Sequence, residues 1–216
     1  MSERKENILE TSIELFNQKG CMNTSTRHIS DELGISVGNL YYYFKNKEDI
    51  IIAIYEEFMT LLSSQLTTLK EGVDMPFDFY NFLKDQMEYE KKYRFFRLEM
   101  ASLYTTYPKV KNALEKGLEK KEQEIQQLYM HQMHYGYLIE LDDSEMEYLC
   151  SNTWILNSQW ELFWIIRKVQ NEKTRRFQGV LNFLYFIKRY ATKKALEEST
   201  LLSSIEYVKK EMQNVK

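Results

Sequence analysis

The sequence is poorest in the residues that interrupt or staple a chain. Of 216 residues only two are proline and seven are glycine. So few breakers leave little room for the frequent tight turns of a β-rich architecture. With many Leu, Glu, Lys, Gln and Met, they predict an all-α protein. Cysteine is equally scarce. Cys21 and Cys150 lie far apart, which excludes a disulfide framework or a thiolate metal set, and the expectation is two reduced, semi-buried thiols. No run approaches the ~20 unbroken apolar residues needed to span a bilayer, and the opening MSERKENILE is charged, so a cytoplasmic protein without membrane association is expected. A glycine-rich phosphate loop, a nucleophile elbow and a Ser/His/Asp spacing are all missing, which argues against an enzyme and implies no cofactor. His131 and His134 share one helix face, but neither Glu124 nor Glu140 completes a tetrahedral set with them, so no metal is expected.

Positive charge is not in excess either; the net charge is −3. Residues 1–50 hold six Lys/Arg against eight Asp/Glu, residues 51–166 eleven against nineteen, and residues 167–216 twelve against five. A nucleic-acid partner therefore cannot be argued from bulk charge, and a protein with so few phosphate-neutralising groups should show a shallow salt slope. The local pattern says more. In the first fifty residues the acids Glu3, Glu6, Glu10 and Glu14 lie on the first helix, whereas Arg27, Lys45 and Lys47 flank a turn.

That turn lies in the stretch Thr24–Asp49, TSTRHISDELGISVGNLYYYFKNKED. Ser25 can cap a helix from Arg27 to Leu33, with Ile29 and Leu33 inward. Gly34 supplies the left-handed residue that ends it, Ile35 is an apolar plug, and Ser36 caps a second helix carrying Gly38, Asn39, Leu40 and three consecutive tyrosines. Small Ser30, four residues before Gly34, suits a close helix crossing. These are the cues of a helix-turn-helix, whose second helix enters the DNA major groove. Leu40 and Phe44, four apart, define the inward face, so one of the tyrosines is expected to be a half-buried core residue, but a core does not require three phenols beside Asn39, Ser36 and two lysines.

The run from Ile29 to Ile51, with LGIS and then GNLYYYFKNKED, resembles the DNA-binding segment of the tetracycline-repressor (TetR) family. The family's leucine-tyrosine-x-tyrosine-phenylalanine string, followed by lysine-x-lysine-glutamate, is met by Leu40, Tyr41, Tyr43, Phe44, Lys45, Lys47 and Glu48. The resemblance covers about the first quarter of the chain. His28 stands where the family often has an acid completing a capping box, and Val37 where it often has lysine. The resemblance implies phosphate contacts from Ser25 or Thr26, Arg27, Tyr43 and Lys47. It implies groove contacts from Ser36, Val37, Gly38, Asn39, Tyr41 and Tyr42. Asn39 could pair an adenine edge, and Val37 or a tyrosine ring could meet a thymine methyl.

Around this motif the periodicity places a first helix over residues 3–19 and, from an Asn46 cap, a long fourth helix to about Leu69, able to act as a lever. The interval Gly72–Pro76 breaks the pattern. Helices are then expected over 77–91, 93–105 and 108–135, Pro108 suiting a first turn. An Asp142–Ser144 cap precedes a helix of about 145–170, and another spans 173–192. The tail 193–216 reads as one further amphipathic helix. The division by role is a helix-turn-helix DNA-binding domain at 1–49 and a helical effector-binding and dimerisation domain at 50–216. The helices over 145–170 and 173–192 are apolar on several faces, which calls for cover by a second subunit in a four-helix bundle. Phe163, Ile166, Phe177, Val180, Leu181 and Leu184 are the interface candidates, and the resemblance implies the same use of these helices. Aromatics crowd the larger domain. Phe96, Met100, Tyr104, Trp154, Asn157, Trp160 and Glu161 are candidates for an apolar effector pocket with a few polar anchors. Asn157 and Glu161 could equally face solvent, and Arg94, Arg97 and Glu99 could be surface charges. The function expected is a homodimeric repressor of a palindromic operator in double-stranded DNA, released by a small, largely apolar effector. The alternative is an effector-independent DNA-associated protein whose C-terminal domain recruits a protein partner.

Overall fold

The computed structural model describes residues 3–71, 88–89 and 91–215, with backbone alone for 65–71. The expected helix at 77–91 and the Gly72–Pro76 break therefore lie outside, or almost wholly outside, the described residues. Among the described residues the protein is all-α: α1 (Glu3–Lys19), α2 (Thr26–Glu32), α3 (Val37–Tyr43), α4 (Lys47–Glu71), α5 (Arg94–Thr106), α6 (Pro108–His134), α7 (Asp143–Ile166), α8 (Glu172–Lys188), α9 (Lys193–Glu198) and α10 (Leu201–Gln213). A single isolated antiparallel bridge, Leu138 to Ala191, is the only extended pairing among them. No helix among the described residues is long and apolar enough to cross a membrane.

Several boundaries follow from side chains that satisfy free N–H groups of the first turn. Asn46 Oδ1 accepts from Asp49 N at 2.9 Å to start α4. Asp142 and Glu145 form a reciprocal capping box on α7, and Asn171 Oδ1 accepts from Thr174 N at 3.0 Å on α8. The first turn of α6 is served from another helix, because Glu48 Oε1 accepts from Lys109 N at 2.6 Å. The tail differs from the single helix expected. Ser199 is extended, and its hydroxyl accepts from Leu201 N at 3.2 Å, so α9 ends and α10 begins there. The periodicity of Leu201, Leu202, Ile205 and Val208 was legible, but the Ser199 hydroxyl competes for the backbone and breaks the run.

The helices form two compact units. One is drawn from the chain up to Leu62 and from Glu88 to Glu119; the other from Ser63 onward and from Lys120 to the C-terminal end. In the first, Ile8, Leu9, Ile13 and Phe16 of α1 meet Ile29, Leu40, Ile50, Ile51 and Ile54, with Phe95, Phe96, Leu103 and Val110 closing the core. Phe16 meets Phe95 edge-on at 5.1 Å between ring centres. Burying each such side chain stabilises the unit by about 1.5–3 kcal/mol before conformational entropy is charged against it. In the second, Ile125, Leu128 and Tyr129 of α6 pack with Leu149 of α7, Phe177, Val180, Phe183 and Leu184 of α8, and Leu201, Ile205 and Val208 of α10.

Candidate nucleic-acid interface

In the first unit, α2 starts at a capping box of unusual composition. Ser25 Oγ accepts from His28 N at 3.2 Å, and His28 Nδ1 accepts from Ser25 N at 3.2 Å. A neutral imidazole thus does what a carboxylate does elsewhere, which accounts for His28 at that position. Gly34 closes α2 with φ +64, and a Cβ there would meet nothing within 4 Å, so glycine is required by conformation and not by space. Ile35 N then donates to Ser30 O at 3.0 Å, locking the turn over the buried Ser30. Ser36 Oγ accepts from Asn39 N at 3.1 Å and starts α3.

In α3, Leu40 is buried in the core, with Phe44 just beyond it and the half-buried Tyr43 packed against it. Of the rest, Ser36, Gly38, Asn39, Tyr41 and Tyr42 are exposed, while Val37 and Tyr43 are half-buried. Tyr42 is 84% exposed, the largest value among the exposed large apolar residues. Its ring meets Tyr43 edge-on at 5.1 Å, and the Tyr41 hydroxyl lies 3.2 Å from Thr26 Oγ1, tying α3 to α2. Gly38 has helical backbone, and a Cβ on it would meet only Ser36 Oγ at 3.9 Å. Packing does not demand glycine at this position; close approach by another molecule would. On the flank, Ser25 and Arg27 are exposed and Thr26 half-buried. Arg27 lies 3.9 Å from Asp31 in an exposed pair of small worth.

Lys47 sits differently from the others. Its ammonium donates to the Cys21 carbonyl and lies 5.6 Å from the Tyr107 ring centre, turned into the first unit. The sequence could not show this, because the acceptor is a backbone oxygen of a loop distant in the chain. Burial pushes the adjacent Cys21 thiol up to about 12; Lys47 opposes that shift and Glu99 adds to it.

The structure does not gather the effector candidates in one unit. In the first, Phe96 is core, stacked at 6.1 Å on Phe58; Met100 is half-buried; and the Tyr104 hydroxyl donates to Glu115 at 2.8 Å on the surface. In the second, Trp160 is buried against α8, Trp154 is half-buried, and Asn157 Nδ2 donates to Thr153 O at 2.8 Å. Glu161 does not face solvent: it is 1% exposed, 3.7 Å from Arg175, whose Nη1 also donates to Val169 O and Gln170 O. A small apolar cavity of ≈40 Å³ in this unit is lined by other residues, among them Leu128, Tyr129, Phe183 and Ile187. It is far below the ~300–1,000 Å³ of ordinary ligand pockets.

The candidate interface residues also separate. Phe163 and Ile166 are exposed and Leu181 is half-buried, but Phe177, Val180 and Leu184 are buried in the core of their own chain and have little surface to offer a second copy. The apolar side chains that do face outward on α7 include Tyr148, Ile155 and Leu162. Their seven-residue spacing was the signal that could have identified them.

Comparison with known proteins agrees with this geometry. Residues 8–54 match the family described as bacterial regulatory proteins, tetR family, and residues 55–198 match that described as bacterial transcriptional repressor. An uncharacterized HTH-type transcriptional regulator, YerO of Bacillus subtilis, is 37% identical over 73 residues, 34% of this chain and 25% of that protein. The class C tetracycline repressor protein of Escherichia coli is 30% identical over 81 residues, 38% of this chain and 35% of that protein. These similarities thus span a quarter to about a third of the curated relatives. A solved TetR-family transcriptional regulator from Marinobacter aquaeolei VT8 superposes with a TM-score of 0.79 at 26% identity, covering 96% of this chain and 99% of that one. With a capped, tyrosine-tipped second helix at the head and family matches running from residue 8 to residue 198, the chain belongs to the tetR family of bacterial regulatory proteins.

Proposed function

We propose that the protein is a repressor that binds a palindromic operator as a homodimer and is released by a small, largely apolar effector. The observation that carries this reading is α3: Leu40 holds it in the core, while Gly38, Asn39 and the 84%-exposed Tyr42 face outward with no packing role. Division by role falls at 1–49 for DNA and 50–216 for effector and dimer. Ser36, Val37, Gly38, Asn39, Tyr41 and Tyr42 face the groove. Ser25, Thr26, Arg27 and Tyr43 face phosphates, with Lys47 at the edge of this face by its position at the start of α4. Two copies of α3 would then occupy successive major grooves about 34–36 Å apart.

Dimerisation is proposed through α7 and α8, using Phe163, Ile166 and Leu181 together with Ile155 and Leu162, which leave a greasy face uncovered. Of the effector candidates in the second unit, Trp154 and Asn157 keep open surface for a ligand. Any effector that releases DNA must bind the DNA-incompetent arrangement more tightly, by the factor by which it weakens operator binding. The uncovered face of α7 also supports the second reading, a platform for a protein partner. Selecting bound DNA from a random library tests the proposal. A palindrome with half-sites about one helical turn apart is expected; an asymmetric single site, or no enrichment, would sink it.

A further inference from the structure

Glu99, on α5, is turned toward the loop between α1 and α2. Both its carboxylate oxygens are used: Oε1 accepts from Cys21 N at 2.7 Å and Oε2 from Met22 N at 2.9 Å. Gly20 makes this possible. With φ +85 it is left-handed, and the two N–H groups that follow it point at one anion, as in the backbone nests that bind free anions. A Cβ on Gly20 would lie 3.3 Å from Glu99 Oε1 and 3.3 Å from Asn23 Nδ2, so the glycine serves both the backbone angle and the carboxylate's seat. The same peptide segment is held from its acceptor side by the Lys47 ammonium on the Cys21 carbonyl. A second tie lies one turn away: Asn17 Nδ2 donates to Lys92 O at 2.7 Å, and Phe95 N donates to Asn17 Oδ1 at 3.0 Å. A third is Glu48 on Lys109 N.

All of these groups belong to the first unit, where the segment 88–119 and the helix-turn-helix share one core. Most of that core is apolar, and burial of apolar surface is non-directional. Two charge-assisted bonds to consecutive loop amides fix both distance and direction. The loop leads directly into α2, through the buried Thr24, whose hydroxyl donates to Gly20 O at 2.8 Å, and the Ser25 cap. We propose that Glu99 is a positioning residue for operator binding: seated in the Gly20 nest, it holds α2, and through it the reading helix α3, in register with the segment 88–119. The inference rests on the DNA-binding reading above but not on any effector.

Two measurements on the full-length protein test it. The first is amide hydrogen exchange without DNA, comparing wild type with Glu99→Gln and Glu99→Ala. In Gln an NH2 donor replaces one of the two accepting oxygens, so one of the two N–H groups loses its acceptor. Exchange at Cys21 and Met22 should rise about tenfold or more, and α2 and α3 should follow, while α8 and α10 stay unchanged. The second is selection of operator variants whose half-site spacing is altered. Glu99→Gln should lower affinity about tenfold and broaden the accepted spacing, with the melting temperature nearly constant. Affinity falling only in step with melting temperature, at unchanged spacing, would mark a structural brace and overturn the proposal. So would exchange that rises at Cys21 and Met22 but leaves α2 and α3 untouched. Should wild type select no DNA, the operator reading falls, while the exchange result still shows whether the carboxylate holds the head.

Discussion

At the scale of single residues, the proposed recognition surface is defined by what each side chain is not doing. Tyr42 supports no core, and Gly38 avoids no clash, so neither is explained inside the chain. Tyr42→Ala should leave thermal stability within ~0.5 kcal/mol of wild type, as for other exposed sites. Operator affinity should fall about tenfold or more, the worth of one base contact of ~1–3 kcal/mol; a footprint of unchanged affinity would remove Tyr42 from the interface. The outward and inward faces of α3 were legible in sequence because Leu40 and Phe44 mark the core by spacing alone. The role of Glu99 was not, since its partners are amides that look alike in any sequence, and it read equally well as a surface charge.

At the scale of elements, close helix crossings depend on glycines in mid-helix. Gly179 of α8 lies where a Cβ would fall 2.5 Å from Trp160 Cδ2 on α7, and Gly117 of α6 faces the Tyr55 ring of α4 in the same way. Burial pushes the Tyr55 hydroxyl up to about 12, so it stays protonated through the physiological range. Gly179→Ala has nowhere to put its methyl without moving an indole, and should lower stability by about 1–3 kcal/mol in denaturant melts, as overpacking does elsewhere. A gain from improved helix propensity instead would show that the indole moves freely.

Another element-scale contact sets an acid limit. Burial of Glu124 opposes its charge, but Lys121 Nζ at 2.9 Å and the Ser63 hydroxyl at 3.0 Å outweigh it and hold its carboxyl below the usual range. Its contribution is therefore complete above the unfolded value of ~4.3 and is lost as pH falls through the lower folded value. Urea midpoints of wild type should drop more steeply than those of Glu124→Gln below about pH 4.3. Parallel curves would mean the ion pair adds nothing.

At the scale of the whole molecule, the proposed function rests on pairing. α7 leaves Ile155 53% and Ile166 70% exposed, a cost that a monomer has no reason to carry. Ile155→Glu with Ile166→Glu should give a folded monomer in sedimentation, because neither residue supports its own core, and should weaken operator binding by at least tenfold through lost avidity. A dimer that persists through both changes would place the interface elsewhere.

The sequence by itself determined the helical class, most helix boundaries, the helix-turn-helix and its outward tyrosines. All of these follow from local caps, breakers and periodicity, which act within a few residues. Tertiary structure alone decided that Phe177, Val180 and Leu184 turn inward, that Glu161 is buried against Arg175, and that Lys47 and Glu99 grip one loop from opposite sides. A side chain's face on a helix greasy all round, and a carboxylate's choice among identical backbone amides, are fixed only when distant segments meet.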